Sequence, residues 1–145
     1  MNTYNINESF GSIVHWAERA LLFRLNGNFK KGGFRITTEQ HRLLVHLWNQ
    51  EGQNQQELAG VTRKDKTSIT RIIRGLEKKD LIVRVTDRID RRMKLLYLTE
   101  KGRETAKELI KIAQWTTEEA KAGISEEKIR ICENVLQKVL KNLRK

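Results

Sequence analysis

Residues 55–102 read QQELAGVTRKDKTSITRIIRGLEKKDLIVRVTDRIDRRMKLLYLTEKG, and the order of signals in this run decides the architecture. Asn54 just before it is an N-cap, with Glu57 three residues on, for a short helix that turns Leu58, Ala59 and Val61 inward. Thr62 to Lys64 make a turn. Asp65 then caps a second helix of the run, reaching about Asp80. Ile82–Thr86 and Lys94–Thr99 are β-rich stretches on either side of the charged loop Asp87–Met93, the pattern of a hairpin. Thr99 opens the next helix.

On a wheel of roughly 100° per residue, Ile72, Ile73 and Leu76 fall within about 60° of Ile69. These four form a stripe to be buried. Thr67, Arg71, Arg74 and Lys78 land opposite, with Ser68 and Thr70 on the flanks. Only Glu77 interrupts this outward set of hydroxyls and cations. A merely solvated helix face usually interleaves acids with its lysines. Arginine can donate two bonds to guanine O6 and N7, and Ser or Thr can reach a base edge or a phosphate. A helix-turn-helix followed by a hairpin with Arg88, Arg91 and Arg92 around Asp87 and Asp90 reads as a winged helix-turn-helix. An arginine at the hairpin tip suits a narrow minor groove, and Asp90 can hold one extended. Taken alone, that loop would equally serve to blunt a sheet edge. Gly75 removes a side chain near the outward face, where a backbone could approach DNA.

Working outward, the first helix spans Ser9 to about Phe29, with Phe10, Ile13, Val14, Ala17, Ala20 and Leu21 on one face. Gly27, Gly32 and Gly33, with Lys30 and Lys31, form a loop. Thr37 and Gln40 make a capping box for a second helix whose stripe is Leu43, Leu44, Leu47 and Trp48, ended by Gly52. The helix from Thr99 carries Ala106, Leu109, Ile110 and Ala113. Ser125 starts a sixth helix with Glu126 and Glu127 in its first turn and Lys141, Arg144 and Lys145 at its end, which suits the helix dipole.

The chain has 145 residues and a net charge of +11, with a single cysteine and no proline. Residues 52–98 alone hold 12 basic and 6 acidic side chains, more than half the surplus on a third of the chain. That favours a polyanionic partner, nucleic acid before a membrane, and with the helix-turn-helix the expected partner is double-stranded DNA. Cys132 excludes an internal disulfide and fits a reducing compartment. The N-terminal MNTYNINESFG has no signal-peptide pattern, and no apolar run nears the roughly 20 residues of a membrane span. A soluble, cytoplasmic protein is expected. No Gly-rich phosphate loop, nucleophile elbow, zinc motif or paired carboxylates mark an enzyme, and no cofactor is expected. His41 and His46 lie five apart and do not share a helix face, so they and His15 read as ordinary helix residues and not as metal ligands.

Gln56-Glu57-Leu58-Ala59, Asp65 through Arg71, Leu76-Glu77-Lys78-Lys79, Asp90-Arg91-Arg92 and Leu98-Thr99-Glu100-Lys101-Gly102 together resemble the MarR family of bacterial winged-helix transcriptional regulators. The resemblance implies one domain over 1–145. Residues 37–102 would be its DNA-binding lobe, and 1–36 with 103–145 its dimerisation helices. It further implies a homodimer on a pseudo-palindrome and repression, often relieved by a small-molecule effector. Asp80 stands where the family usually ends its recognition helix with Gly, so the cap must be made another way. Arg88 replaces the proline common after the first wing Asp.

Ile129, Cys132, Leu136, Val139 and Leu143 recur at near-heptad spacing, which with Ile13 makes a dimer seam. Folding back of both terminal helices onto one monomeric core is the alternative. Within that seam Cys132 reads as an inert buried thiol and not as a redox sensor. Trp16, Phe23, Trp48 and Trp115 could line an effector pocket or simply fill core. The expected reader set is Lys64, Lys66, Thr67, Ser68, Thr70, Arg71, Arg74 and Lys78, with Arg88, Asp90, Arg91 and Arg92 in the wing. Thr67, Ser68, Thr70, Arg71 and Arg74 would probe bases, and Lys64, Lys66 and Lys78 would meet phosphates. Non-specific or architectural DNA binding, and a winged-fold adaptor for proteins, are the competing readings.

Overall fold

The computed structural model describes residues 3–144. A 3-10 turn (Ile6–Glu8) leads into α1 (Phe10–Lys31), followed by α2 (Thr38–Asn49), α3 (Gln55–Thr62) and α4 (Lys66–Lys78). The hairpin β1 (Ile82–Thr86) and β2 (Lys94–Leu98) comes next, then α5 (Glu100–Lys121) and α6 (Glu126–Leu143). No helix among the described residues is long and apolar enough to cross a membrane.

Local chemistry starts each helix. Ser9, Thr37, Asn54, Asp65, Thr99 and Ser125 each accept the backbone N–H three residues on, the capping bond that satisfies an orphan donor. Thr37 and Gln40 complete the expected capping box. α1 continues through Gly27, Lys30 and Lys31, which therefore lie in helix and not in a loop. Its last turn is held by Phe29, fully buried among the core residues.

That core gathers Leu43, Leu44 and Leu47 of α2, Leu58 of α3, Ile69, Ile72, Ile73 and Leu76 of α4, Leu96 of β2, and Ala106 and Leu109 of α5. One cluster thus joins the helix-turn-helix to α1 and α5. Val61, expected inside, is half exposed. Three residues on from the buried Leu58, Val61 sits at the edge of the inner face, and the chain leaves α3 through Arg63 in left-handed backbone, φ 55°. β1 and β2 pair antiparallel from Ile82 opposite Leu98 to Thr86 opposite Lys94. Gly52 and Gln53 extend the sheet by bonding both ways with Leu96, which pins the approach to α3 against the wing.

The end of α4 corrects one expectation. Asp80 does not force a different cap; it takes the left-handed conformation usually given to glycine, φ 59°. Its N–H bonds to the Glu77 carbonyl and that of Leu81 to the Leu76 carbonyl, with Leu76 and Leu81 both buried. This is a Schellman motif with aspartate at the strained position. Gly75 also has a different reason. A Cβ there would lie 2.6 Å from Gln40 Nε2, so the missing side chain makes room for the residue that caps α2. Gly102 is the tightest point, for its Cβ would stand 1.9 Å from the Leu81 carbonyl oxygen.

His41 lies inside α2 with its ring centroid 5.1 Å from that of Phe29. Its Nδ1 is shut from solvent without a hydrogen-bond partner among the described residues. Burial, aided by the Arg42 charge, pushes its pKa from the ordinary 6.5 down to about 4.

Two measurements of unfolding follow from these sites. Gly102→Ala is expected to cost at least about 2 kcal/mol by urea denaturation, because backbone must move. Asp80→Gly is expected to gain about 0.5–1 kcal/mol by relieving left-handed strain. An unfolded chain binds a proton at His41 below pH 6.5 that the folded imidazole refuses until about pH 4. Stability should therefore fall as pH drops through that window, and His41→Gln should flatten the fall relative to the unsubstituted protein. Identical slopes would show that His41 titrates normally.

Candidate nucleic-acid interface

α4 buries Ile69, Ile72, Ile73 and Leu76 and leaves Lys66, Thr67, Arg71, Arg74 and Lys78 exposed. The wheel read from the sequence is the one the chain adopts. Lys66, Thr67, Thr70, Arg71, Arg74, Gly75 and Lys78 line a shallow groove of ≈ 610 Å³.

Three of the expected readers are engaged within the fold. Thr70 Oγ1 accepts from Gln55 Nε2 at 2.6 Å and donates to the Lys66 carbonyl at 2.7 Å. Its hydroxyl clips the start of α3 to α4, which corrects its expected role as a free base probe. Lys64, expected on a phosphate, places Nζ 2.9 Å from Glu39 Oε2. Arg71 Nη2 lies 3.4 Å from the other oxygen of the same carboxylate. The hydrogen bond from Lys64 holds the Glu39 carboxyl below its usual range, with Arg71 adding to the effect against a smaller opposing cost of burial. Asp65 is lowered as well, by the Ser68 N–H that it caps. Ser68 itself is half-buried beside that cap.

The wing tip presents Arg88, Arg91 and Arg92 to solvent. Asp90 does not hold an arginine side chain; its Oδ1 accepts the backbone N–H of Arg92 at 3.0 Å and so shapes the turn. Ile89 stands 96% exposed at the tip, a residue that sequence reasoning passed over. Arg84 was missed too. Its Nε and Nη2 both reach Glu77 Oε1 at 3.1 Å, tying β1 to the end of α4. Alternation along a strand puts Arg84 on one face, but nothing in the sequence says that Glu77 waits there.

The residues expected to form a dimer seam lie on the terminal helices. Ile13, Cys132, Leu136 and Leu143 are exposed, and Ile129 and Val139 are half-buried. α6 leans on no other element of its own chain to any substantial extent. The monomeric alternative, with α6 folded back on the core, is therefore not what this chain adopts. For the same reason Cys132 is exposed in the single chain, against the expectation of a buried thiol. Trp16, Phe23, Trp48 and Trp115 are exposed as well, so none of them fills this chain's core.

Residues 36–94 match the model of the MarR family. The HTH-type transcriptional regulator YybA of Bacillus subtilis (strain 168) is 30% identical over 108 residues, covering 74% of this chain and 72% of that relative. BpsR of Bordetella bronchiseptica, whose DNA binding is regulated by 6-hydroxynicotinic acid, has a similar structure, with a TM-score of 0.85 at 21% identity over 95% of this chain and 97% of that one. S. aureus MepR, solved in complex with DNA, gives a TM-score of 0.84 at 23% identity over 93% of this chain and 98% of that one.

Arg71→Ala is expected to weaken binding to a preferred duplex by about 1–3 kcal/mol and to a random duplex by less, measured by fluorescence anisotropy. Equal losses would make Arg71 a phosphate contact. Arg92→Ala should matter most on sites with A·T-rich flanks.

Proposed function

The chain belongs to the MarR family of DNA-binding transcriptional regulators, which are not enzymes, and we propose that it is a sequence-specific repressor working as a homodimer in the cytoplasm. The observation that carries this reading is the outward face of α4. It is an exposed strip of hydroxyls and cations on a helix pinned by four buried aliphatic side chains, with an arginine-tipped wing beside it. Thr67, Ser68, Arg71 and Arg74 then meet base edges, while Lys66 and Lys78 meet phosphates. Arg88, Arg91 and Arg92 work in the adjacent minor groove, shaped by the Asp90 turn. Residues 37–102 act as the DNA-binding lobe, and 1–36 with 103–145 as the dimerisation helices.

The homodimer is supported by the apolar stripe of α6, which its own chain leaves open at Ile131, Val135, Leu136, Leu140 and Leu143. Two readers related by a two-fold axis suit half-sites about 34–36 Å apart, one turn of DNA. Release by a small-molecule effector belongs to the same proposal, and the regulation of BpsR by 6-hydroxynicotinic acid supports it.

Selection of bound duplexes from a random pool, at two salt concentrations, tests the reading. A two-fold symmetric site is the expected product. Salt-sensitive retention without an enriched sequence would replace it with non-specific or architectural binding, since phosphate contacts weaken with salt on every sequence alike. No retention would favour a protein-interaction adaptor.

A further inference from the structure

Glu39 is an acid in the first turn of α2, set against cations of the α3–α4 turn and of α4. Its two oxygens reach Lys64 in the turn before α4 and Arg71 on the outward face of α4. One carboxylate thus ties α2 to the turn and to the second helix of the helix-turn-helix. The side chains of Glu39 and Lys64 are each 35% exposed and that of Arg71 is 64% exposed. Ion pairs this wet contribute little stability, because solvent screens them. An acid here also opposes the general attraction to a polyanion on every sequence. Neither stability nor raw affinity accounts for it.

Geometry does. An arginine side chain has many rotamers, and bidentate readout of a base edge needs its planar fork held in one orientation. A bond to one Nη from the α2 side restricts the guanidinium while leaving its remaining donors free. We propose that Glu39 is a positioning residue that sets sequence specificity by orienting Arg71, while its charge lowers affinity for non-cognate DNA. The inference rests on the sequence-specific reading above.

The test compares Glu39→Gln and Glu39→Asp with the unsubstituted protein on the selected site and on random duplex, over a range of salt. Glu39→Gln keeps the size and loses the charge. It is expected to bind random duplex about two- to fivefold more tightly, because an interface acid is gone. The ratio of selected to random affinity should fall roughly tenfold, because the fork is no longer held. Glu39→Asp keeps the charge but is too short to span both cations; it should lose much of the ratio without the gain on random duplex. In an Arg71→Ala background, Glu39→Gln should leave the ratio unchanged, which a merely structural role would not produce.

An unchanged ratio in Glu39→Gln, or an equal fall with and without Arg71, would overturn the inference. If the unsubstituted protein has no preferred sequence, the proposed function fails and this inference with it. If it has one that Glu39→Gln preserves, only this inference fails.

Discussion

Everything on the outward surface depends on the burial of Ile69, Ile72, Ile73 and Leu76 against α2, α3 and β1. Each such side chain contributes about 1.5–3 kcal/mol when taken from water, far more than any exposed ion pair nearby. The stripe fixes the rotation of α4 about its own axis. Once that is fixed, Thr67, Arg71, Arg74 and Lys78 all leave the helix on its outward side. The wing follows from the same anchor, since Leu81 and Ile82 continue the buried run directly into β1.

The polar contacts have a different task. Glu39, Glu77 and Glu51 each reach from one element to a cation on another: Lys64 and Arg71, Arg84, and Arg103. All are partly exposed, so their worth lies in angle and register more than in free energy. Glu51 also accepts the backbone N–H of Leu98, closing the hairpin against the end of α2. Apolar burial decides that the elements meet; these carboxylates decide how.

Much of this was legible in the sequence, and the reason is locality. Caps at Ser9, Thr37, Asn54, Asp65, Thr99 and Ser125 depend on a residue and its neighbour three places on, and so does the α4 wheel. What was not legible depends on the third dimension. Thr70 on a flank of α4 says nothing of Gln55, fifteen residues earlier, and Glu39 gives no sign of Lys64 or Arg71. Gly75 looked like an opening toward DNA until α2 put Gln40 against it. Asp80 and Gly102 carry no periodic signal, and their meaning comes from the backbone conformation of one and the nearness of Leu81 to the other. Cys132 was misjudged because spacing reveals an apolar stripe without saying whether its cover comes from the same chain.

That last helix has a consequence for how much of the protein a cell must hold. Under the proposed assembly, α6 gains its cover only from a second copy, so the free energy that orders it includes a logarithm of concentration. A dilute population would leave the stripe wet and the two readers uncoupled. Abundance then acts as an input in its own right, and a regulator that lowered its own synthesis would also be adjusting the fraction of itself able to bind.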